Sequence, residues 1–343
     1  MDDAVLNDRF TGAILGTMVG DALGAPVEGW DARSLNTRLE SLAQMSKPER
    51  ELMVSVFGLI TGGDVPEGTA RYTDDTEMMF GLAESVAEHG TINEPDIAHR
   101  FAQYFDPARG YGMGAQVILK ALKKGVPWYE PAERLFGGQG SYGNGAAMRV
   151  APVGVFFHDA DTHTLRDASE RQAIITHTHP LGIEGAVMQA AAVAIATRID
   201  LAGEPLDKFR YIETVRSYLR DDQETYHDSC DKIAAMLEQS PDPVRDSEEL
   251  VCGIEAHLSV PAALYAFLAY PDSFEQAVTF AVRMGNDTDT VGAMCGAIAG
   301  AFHGASAIPA RWLSALENGP RGRDTAAELA QQLFRSWHRQ SSA

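Results

Sequence analysis

Phe10-Thr11-Gly12-Ala13-Ile14-Leu15-Gly16-Thr17-Met18-Val19-Gly20-Asp21-Ala22-Leu23-Gly24 is the stretch that decides how this chain folds. Glycine recurs at every fourth position, Gly12, Gly16, Gly20 and Gly24, within a largely apolar run. Residues four apart share one face of an α-helix, so these glycines make a bare stripe that a neighbouring helix can approach closely. The pattern predicts a buried core helix. Further helical patterns run over Glu77–Glu88, Glu94–Tyr104, Ala115–Lys124, Leu165–Thr176, Gly185–Ile199, Val260–Leu268, Phe274–Met284, Thr290–Phe302 and Asp324–Arg339. Only Met53–Ile60 alternates in the manner of a strand. The expected fold is all-α, a single compact domain of orthogonally packed helices over 1–343. No Pro/Ser-rich linker divides it. The polar segment from about Leu201 to Glu249 is the candidate for a helical insertion or lid.

A chain of 343 residues with 45% hydrophobic content can bury a large core. Its formal charge of −20 disfavours unspecific contact with nucleic acid or anionic membrane, while leaving room for a small anionic ligand bound locally. Cys230, Cys252 and Cys295 are scattered and odd in number, as in a reduced cytoplasmic protein. The stretch Met1 to Asp8 is acidic, unlike a signal or transit peptide. Asp21 interrupts the apolar run after Phe10 before it reaches membrane length, so no spanning segment is expected.

Two acidic runs stand far apart, Thr73-Asp74-Asp75-Thr76 and Asp287-Thr288-Asp289-Thr290. Each could simply cap a helix, since Asp and Thr are favoured at N-caps. Yet both lead into mostly apolar helices, and four carboxylates at buried helix starts repel strongly unless a cation neutralises them. The helix dipole contributes only about 0.3–1 kcal/mol per anion, too little to offset the clustering. Read together, the runs form one binuclear metal site. Carboxylate and hydroxyl oxygens are hard ligands, and neither run holds Cys or His, so the expected ion is Mg2+ or Mn2+ rather than zinc.

Gly110-Tyr111-Gly112-Met113-Gly114 precedes an apolar helix, so its free N–H groups suit an anion such as a pyrophosphate, though such a turn can be mere punctuation. The stretch from Phe136 to Arg149 brackets Ser141, Gly143 and Asn144 with two rings, Phe136 and Tyr142, a mix able to sandwich a base and hold phosphates. His177 is read as a ligand contact and His179 as structural; one His pair without a third soft ligand does not make a zinc site. Glu28 follows the glycine helix. It is either a plain helix-terminal acid or a catalytic switch poised at a buried helix end beside the cations.

Gly20-Asp21 to Glu28, Tyr72 to Thr76, Arg109 to Gly114, Ser141 to Arg149, Thr176-His177 and Asn286 to Thr290, in that order, resemble the ADP-ribosylglycohydrolases over nearly the whole chain. The resemblance implies an all-helical domain with two Mg2+ ions, Mn2+ being the alternative, at the base of an ADP-ribose cleft. It implies Thr73, Asp74, Asp75, Asp287, Asp289 and Thr290 as metal ligands, with Asp289 bridging both ions. Glu28, Asp75 and Asp289 would carry catalysis, Glu28 as a mobile glutamate. Gly112, Gly114, Phe136, Ser141, Tyr142, Gly143, Asn144, His177 and Ile254 would line the diphosphate, adenosine and distal ribose.

Ala98 to Gln103, Ser141 to Gly145 and Ser259 to Tyr265 are most similar to the serine-directed branch, which also trims poly(ADP-ribose) and O-acetyl-ADP-ribose. Met148 to Pro152 and His177 to Pro180 look more like the arginine-directed bacterial enzymes, and Asn286 replaces a usual glycine. The expected activity is therefore metal-dependent hydrolysis of O-linked ADP-ribose on protein serine. Arginine-linked hydrolysis is the alternative, and a non-catalytic ADP-ribose-binding protein the third reading. The expected partners are ADP-ribose-modified proteins met by a cytoplasmic monomer, with neither nucleic acid nor membrane.

Overall fold

The computed structural model describes residues 2–45, 58–61, 65–200 and 203–341. Its longer helices begin with α1 (Asp3–Gly24), α2 (Ala32–Gln44), α3 (Asp74–His89), α4 (Glu94–Tyr104) and α5 (Met113–Lys123). They continue with α6 (Thr162–Ala173), α7 (Pro180–Arg198), α8 (Lys208–Arg216), α9 (Glu224–Met236) and α10 (Pro243–Glu249). The last are α11 (Ala256–Ala269), α12 (Phe274–Arg283), α13 (Thr288–His303) and α14 (Arg323–Ser341). The fold is all-α. No strand occurs among the described residues, only isolated bridges such as Asp31 with Gly285 and Gly143 with Glu255.

The glycine stripe of α1 meets a second stripe on α13. A Cβ built on Gly12 would lie 2.2 Å from the Gly300 carbonyl oxygen, on Gly16 2.1 Å from that of Gly296, on Gly20 1.9 Å from that of Gly292, and on Gly24 2.2 Å from that of Thr288. One number rises as the other falls, so the helices run antiparallel in a fixed register with their backbones touching. The Thr288 hydroxyl donates to the Gly24 carbonyl at 2.9 Å and closes the far end. This register puts the end of α1, and Glu28 beyond it, against the start of α13 and its acidic run.

Around this pair, α7, α11 and α13 are buried almost throughout, as is α1 from Phe10 onward. A helix apolar on all sides is a core helix or a membrane span, and composition alone does not separate the two. Asp3–Val27 and Pro180–Arg198 do reach the length and apolarity of a span, contrary to expectation, because one aspartate is too little to interrupt so apolar a run. In each the most apolar window is 83% buried inside the protein, so that apolarity serves the interior.

α3 leans on α4 and α14, and α14 packs across α1. The α2 helix was not signalled by the sequence; only one side of it is buried, at Leu35, Leu39 and Leu42. Of the stretch expected to alternate as a strand, residues 53–57 lie outside the described residues, and 58–61 are a turn of helix. The 201–249 segment carries α8, α9 and α10, whose Tyr211, Tyr226, Cys230 and Ile233 join the main hydrophobic core.

Candidate functional site

α3 begins beside the junction of α1 and α13. Thr73 is its N-cap: its hydroxyl accepts from the Asp75 amide at 3.4 Å and lies 3.2 Å from Asp75 Oδ2. The Thr290 hydroxyl of α13 approaches the same Asp75 oxygen at 3.5 Å, so the two acidic runs meet. Carboxylate oxygens of Glu28, Asp287 and Asp289 lie within 4.8 Å of one another and form a group able to hold a cation. Asp75 Oδ1 is buried with no hydrogen-bond partner among the described residues, the condition of an oxygen reserved for a ligand outside the chain. Acid oxygens, hydroxyls and one orphaned buried acceptor suit a hard divalent ion.

Electrostatics point the same way. Burial pushes the carboxyls of Asp74, Asp75 and Asp289 well above their ordinary range, and neighbouring carboxylates push them further. Asp287 rises to about 6 through burial, opposed by hydrogen bonds that include the Asn144 amide at 2.5 Å. A bound cation would reverse these shifts by favouring the ionised forms.

Without a cation the native state therefore retains protons that the unfolded chain, with ordinary carboxyl values near 4, has already released. Stability then falls as pH rises from about 4 through about 6 and beyond, because the native state binds more protons than the unfolded one. We predict that the melting temperature of the chelator-treated protein drops between pH 5 and pH 8, and that millimolar Mg2+ restores most of the loss. Melting curves that ignore both pH and Mg2+ would count against a cation at this place.

Asp21 went unassigned in the sequence, although an acid inside so apolar a helix was itself a signal. It is fully buried and accepts from the Thr73 amide at 2.9 and 3.0 Å, the Thr76 amide at 3.1 Å and the Thr76 hydroxyl at 2.5 Å. Burial lifts its carboxyl to about 6 despite these bonds. Asp21 thus ties α1 to the first turn of α3 and sets the direction of Asp74 and Asp75. Asp21→Ala leaves buried donors without a partner, and chemical denaturation should register a loss of about 3 kcal/mol.

Above the acids opens a cavity of about 290 Å3. Its wall contains Glu28, Asp74, Asp75, Asp287, Asp289 and Thr290 together with Gly112, Gly114, Phe136, Ser141, Gly143, Asn144, His177 and Ile254. Thr73 touches Asp75 but is not part of the wall. Tyr142 also lies outside it: its ring is 46% exposed and meets His179 edge-on, with centroids 5.5 Å apart. Glu28 is exposed at the cavity edge, not at a buried helix end, because α1 stops at Gly24 and a 3-10 turn over Ala25–Val27 carries the chain outward.

The loops are held by bonds the sequence did not reveal. Gly112 opens α5, and Gly110, at φ 91°, takes a conformation that suits glycine. Arg109 donates to the Tyr72 carbonyl at 2.8 Å and forks onto Glu317, which also accepts from the Tyr72 amide at 3.0 Å. A residue just before α14 thereby fixes both the glycine loop and the approach to the first acidic run. The Asn144 amide nitrogen receives nothing and donates to Ser259 at 3.0 Å and to Asp287, while the Gly143 and Glu255 backbones bridge.

Two residues in the stretches most similar to arginine-directed enzymes are held by internal bonds. His179 caps α7, its Nδ1 accepting from the Leu181 amide at 3.2 Å, and Arg149 is wholly buried. Asn286, at φ 61°, occupies a left-handed position that asparagine tolerates better than most residues. Its backbone exchanges bonds with Trp30 at 2.6 Å and Gly29 at 2.8 Å, tethering the Glu28 loop to the second run.

The ADP-ribosylglycohydrolase family profile matches residues 2–343. The chain is 32% identical to "ADP-ribosylhydrolase ARH3" of Homo sapiens over 358 residues, covering 95% of this chain and 93% of that protein. It is 33% identical over 335 residues to an uncharacterised protein of Archaeoglobus fulgidus, with 96% and 97% covered. A solved structure titled "ADP-ribosylglycohydrolase-related protein complex" superposes with a TM-score of 0.68 at 28% identity, covering 97% of this chain and 99% of that one. A match across the whole length, on an all-α fold whose acidic runs meet under one cavity, makes this chain a hydrolase belonging to the ADP-ribosylglycohydrolase family.

Proposed function

We propose that the protein hydrolyses the glycosidic bond between ADP-ribose and the oxygen of a modified serine, using two Mg2+ ions, with Mn2+ as a substitute. The observation that carries this reading is the orphaned Asp75 Oδ1 at the meeting of the two acidic runs, beneath a cavity of suitable size. Thr73, Asp74, Asp75, Asp287, Asp289 and Thr290 would hold the ions. When bound, such ions lower the pKa of water and orient it beside the sugar.

The chain's own residues supply the rest. Gly112, Gly114 and Gly143 let backbone approach the diphosphate closely, and Phe136 offers a ring for the base. Ser141, Asn144 and His177 add polar contacts, and Tyr142 would have to swing inward to join them. Asn144 holds Asp287 in place through its amide donor. Glu28, exposed and on a tethered loop, is free to meet the leaving oxygen. Clustered carboxylates favour the positive charge that develops on the sugar as the bond breaks.

Serine is favoured over arginine by the likeness of Ala98 to Gln103, Ser141 to Gly145 and Ser259 to Tyr265 to the serine-directed branch, while Arg149, at the cavity border, spends its hydrogen bonds on Gln172 and Thr176, and His179 caps α7. The human relative's name describes an ADP-ribosylhydrolase, and the same substrate class is proposed here. We further infer a cytoplasmic monomer acting on ADP-ribose-modified proteins, away from membranes. Three free, buried cysteines agree with a reducing compartment.

The test is release of free ADP-ribose from serine-, arginine- and DNA-linked substrates, each with Mg2+ and with chelator. Serine-linked substrate should be cleaved only with Mg2+. Cleavage confined to the arginine conjugate would replace the proposed acceptor, and ADP-ribose binding without any cleavage would leave a binding protein. Glu28→Ala should lose turnover while titration calorimetry still detects ADP-ribose.

A further inference from the structure

Arg149 is fully buried, yet none of its hydrogen bonds among the described residues reaches a carboxylate. Burying an unpaired cation is costly, so its contacts need a reason. Its Nε donates to Gln172 Oε1 at 2.9 Å, one terminal nitrogen to the Gln172 carbonyl at 2.8 Å, and the other to Thr176 Oγ1 at 2.8 Å. The guanidinium lies over the Phe101 ring at 4.6 Å. Gln172 is itself anchored, its Nε2 donating to the Ala146 carbonyl at 3.0 Å, which turns Oε1 toward Arg149.

A guanidinium can only donate, so Thr176 Oγ1 accepts from it. The threonine keeps one hydroxyl hydrogen to place, and Thr176 is 1% exposed. Its one remaining partner among the described residues is His177 Nδ1, 2.7 Å away. The hydroxyl hydrogen therefore points at Nδ1, which must be bare to receive it. Were Nδ1 protonated, the buried hydroxyl hydrogen would have no acceptor. Burial and then Arg149 lower the His177 pKa to about 3, in keeping with a neutral ring. A neutral ring with bare Nδ1 carries its hydrogen on Nε2.

Two glycines stand beside that nitrogen. A Cβ on Gly143 would stand 3.5 Å from Nε2 and one on Gly145 3.2 Å. His177, Thr176 and Arg149 all border the ligand cavity.

We propose that Arg149 is a positioning residue: acting through Thr176, it fixes His177 in the tautomer that presents Nε2–H to the cavity, so the ligand atom met there is a hydrogen-bond acceptor. Phosphate oxygen, hydroxyl oxygen or a bare ring nitrogen qualifies; a metal ion or an acidic proton does not. Only the identity of that ligand rests on the ADP-ribose reading, since the tautomer follows from the protein's own bonds.

The test is a long-range 1H–15N spectrum of protein carrying 15N-histidine, with the His177 signals assigned by their loss in His177→Gln. At neutral pH the wild-type ring should show a protonated Nε2 and a bare Nδ1. Thr176→Ser keeps the hydroxyl and should keep that pattern, whereas Thr176→Val should give a mixture of tautomers. Arg149→Met should do the same. If it fails to fold, Arg149→Lys takes its place, retaining the charge but unable to hold Gln172 and Thr176 from one planar head. ADP-ribose titration should show roughly tenfold weaker binding to Thr176→Val, with Thr176→Ser near wild type. A protonated Nδ1 in the wild type, or a tautomer indifferent to both the threonine and the arginine changes, overturns the proposal. A fixed Nε2–H in a protein that does not bind ADP-ribose would support the relay and defeat the ligand assignment instead.

Discussion

Gly20→Ala is expected to unfold the protein or cost it most of its stability. The new Cβ would sit 1.9 Å from the Gly292 carbonyl oxygen and 2.3 Å from its carbon, distances no packed structure holds. The atoms struck are backbone in the middle of a core helix, so no side chain can swing aside. α1 and α13 would have to separate, opening gaps at Gly16–Gly296 and Gly24–Thr288 as well. Overpacking a core commonly costs 1–3 kcal/mol, and a clash against immovable backbone should exceed about 3 kcal/mol, a large share of a typical 5–15 kcal/mol total. Thermal melting followed by circular dichroism reads the loss. Gly29→Ala is the control, because nothing lies within 4 Å of a Cβ there, although its φ of 80° adds modest strain. Equal melting temperatures for Gly20→Ala and wild type would mean that the two helices do not touch as described.

Asp289→Ala should have the largest effect on activity, and its signature has two opposite signs. Asp289 stands in the first turn of α13 among Asp287, Glu28 and Asp75, and loses a carboxylate that the proposed cations need. Turnover should fall at least about a thousandfold, equivalent to some 4 kcal/mol of barrier, and the stabilisation by Mg2+ should disappear. The metal-free variant, however, should melt higher than metal-free wild type at pH 8, since one of several mutually repelling buried acids is gone. A misfolded variant would lose stability along with activity, so the pair of measurements separates a damaged site from a damaged fold. An active variant with an undiminished Mg2+ response would remove Asp289 from the centre.

The sequence carried the helical class and most core helices because their information is local. Glycine spacing, apolar periodicity and a cap such as Thr73 act within a few residues. The acidic runs were legible for the same reason, each being a short cluster of one chemistry. What escaped was pairing at a distance. Nothing near Glu317 announces that it grips Arg109, and nothing in Gly292, Gly296 and Gly300 says that their partners lie on α1. Arg149 stood in a recognisable stretch, but its role depends on Gln172 and Thr176, which only the fold brings beside it. Glu28 was misjudged in its surroundings because the 3-10 turn after α1 redirects the chain by a few residues, a change too small for periodicity to reveal.

The antiparallel register of α1 and α13 also constrains how the molecule comes into being. During synthesis the amino-terminal helix leaves the ribosome long before its partner, and its bare stripe has nothing to lie against until residues 288–303 are made. Contacts so remote in sequence form late and slowly, and an apolar surface kept waiting invites aggregation. The nascent polypeptide therefore cannot assemble its site before residues 288–303 are made, and in that interval a chaperone would shield the bare stripe.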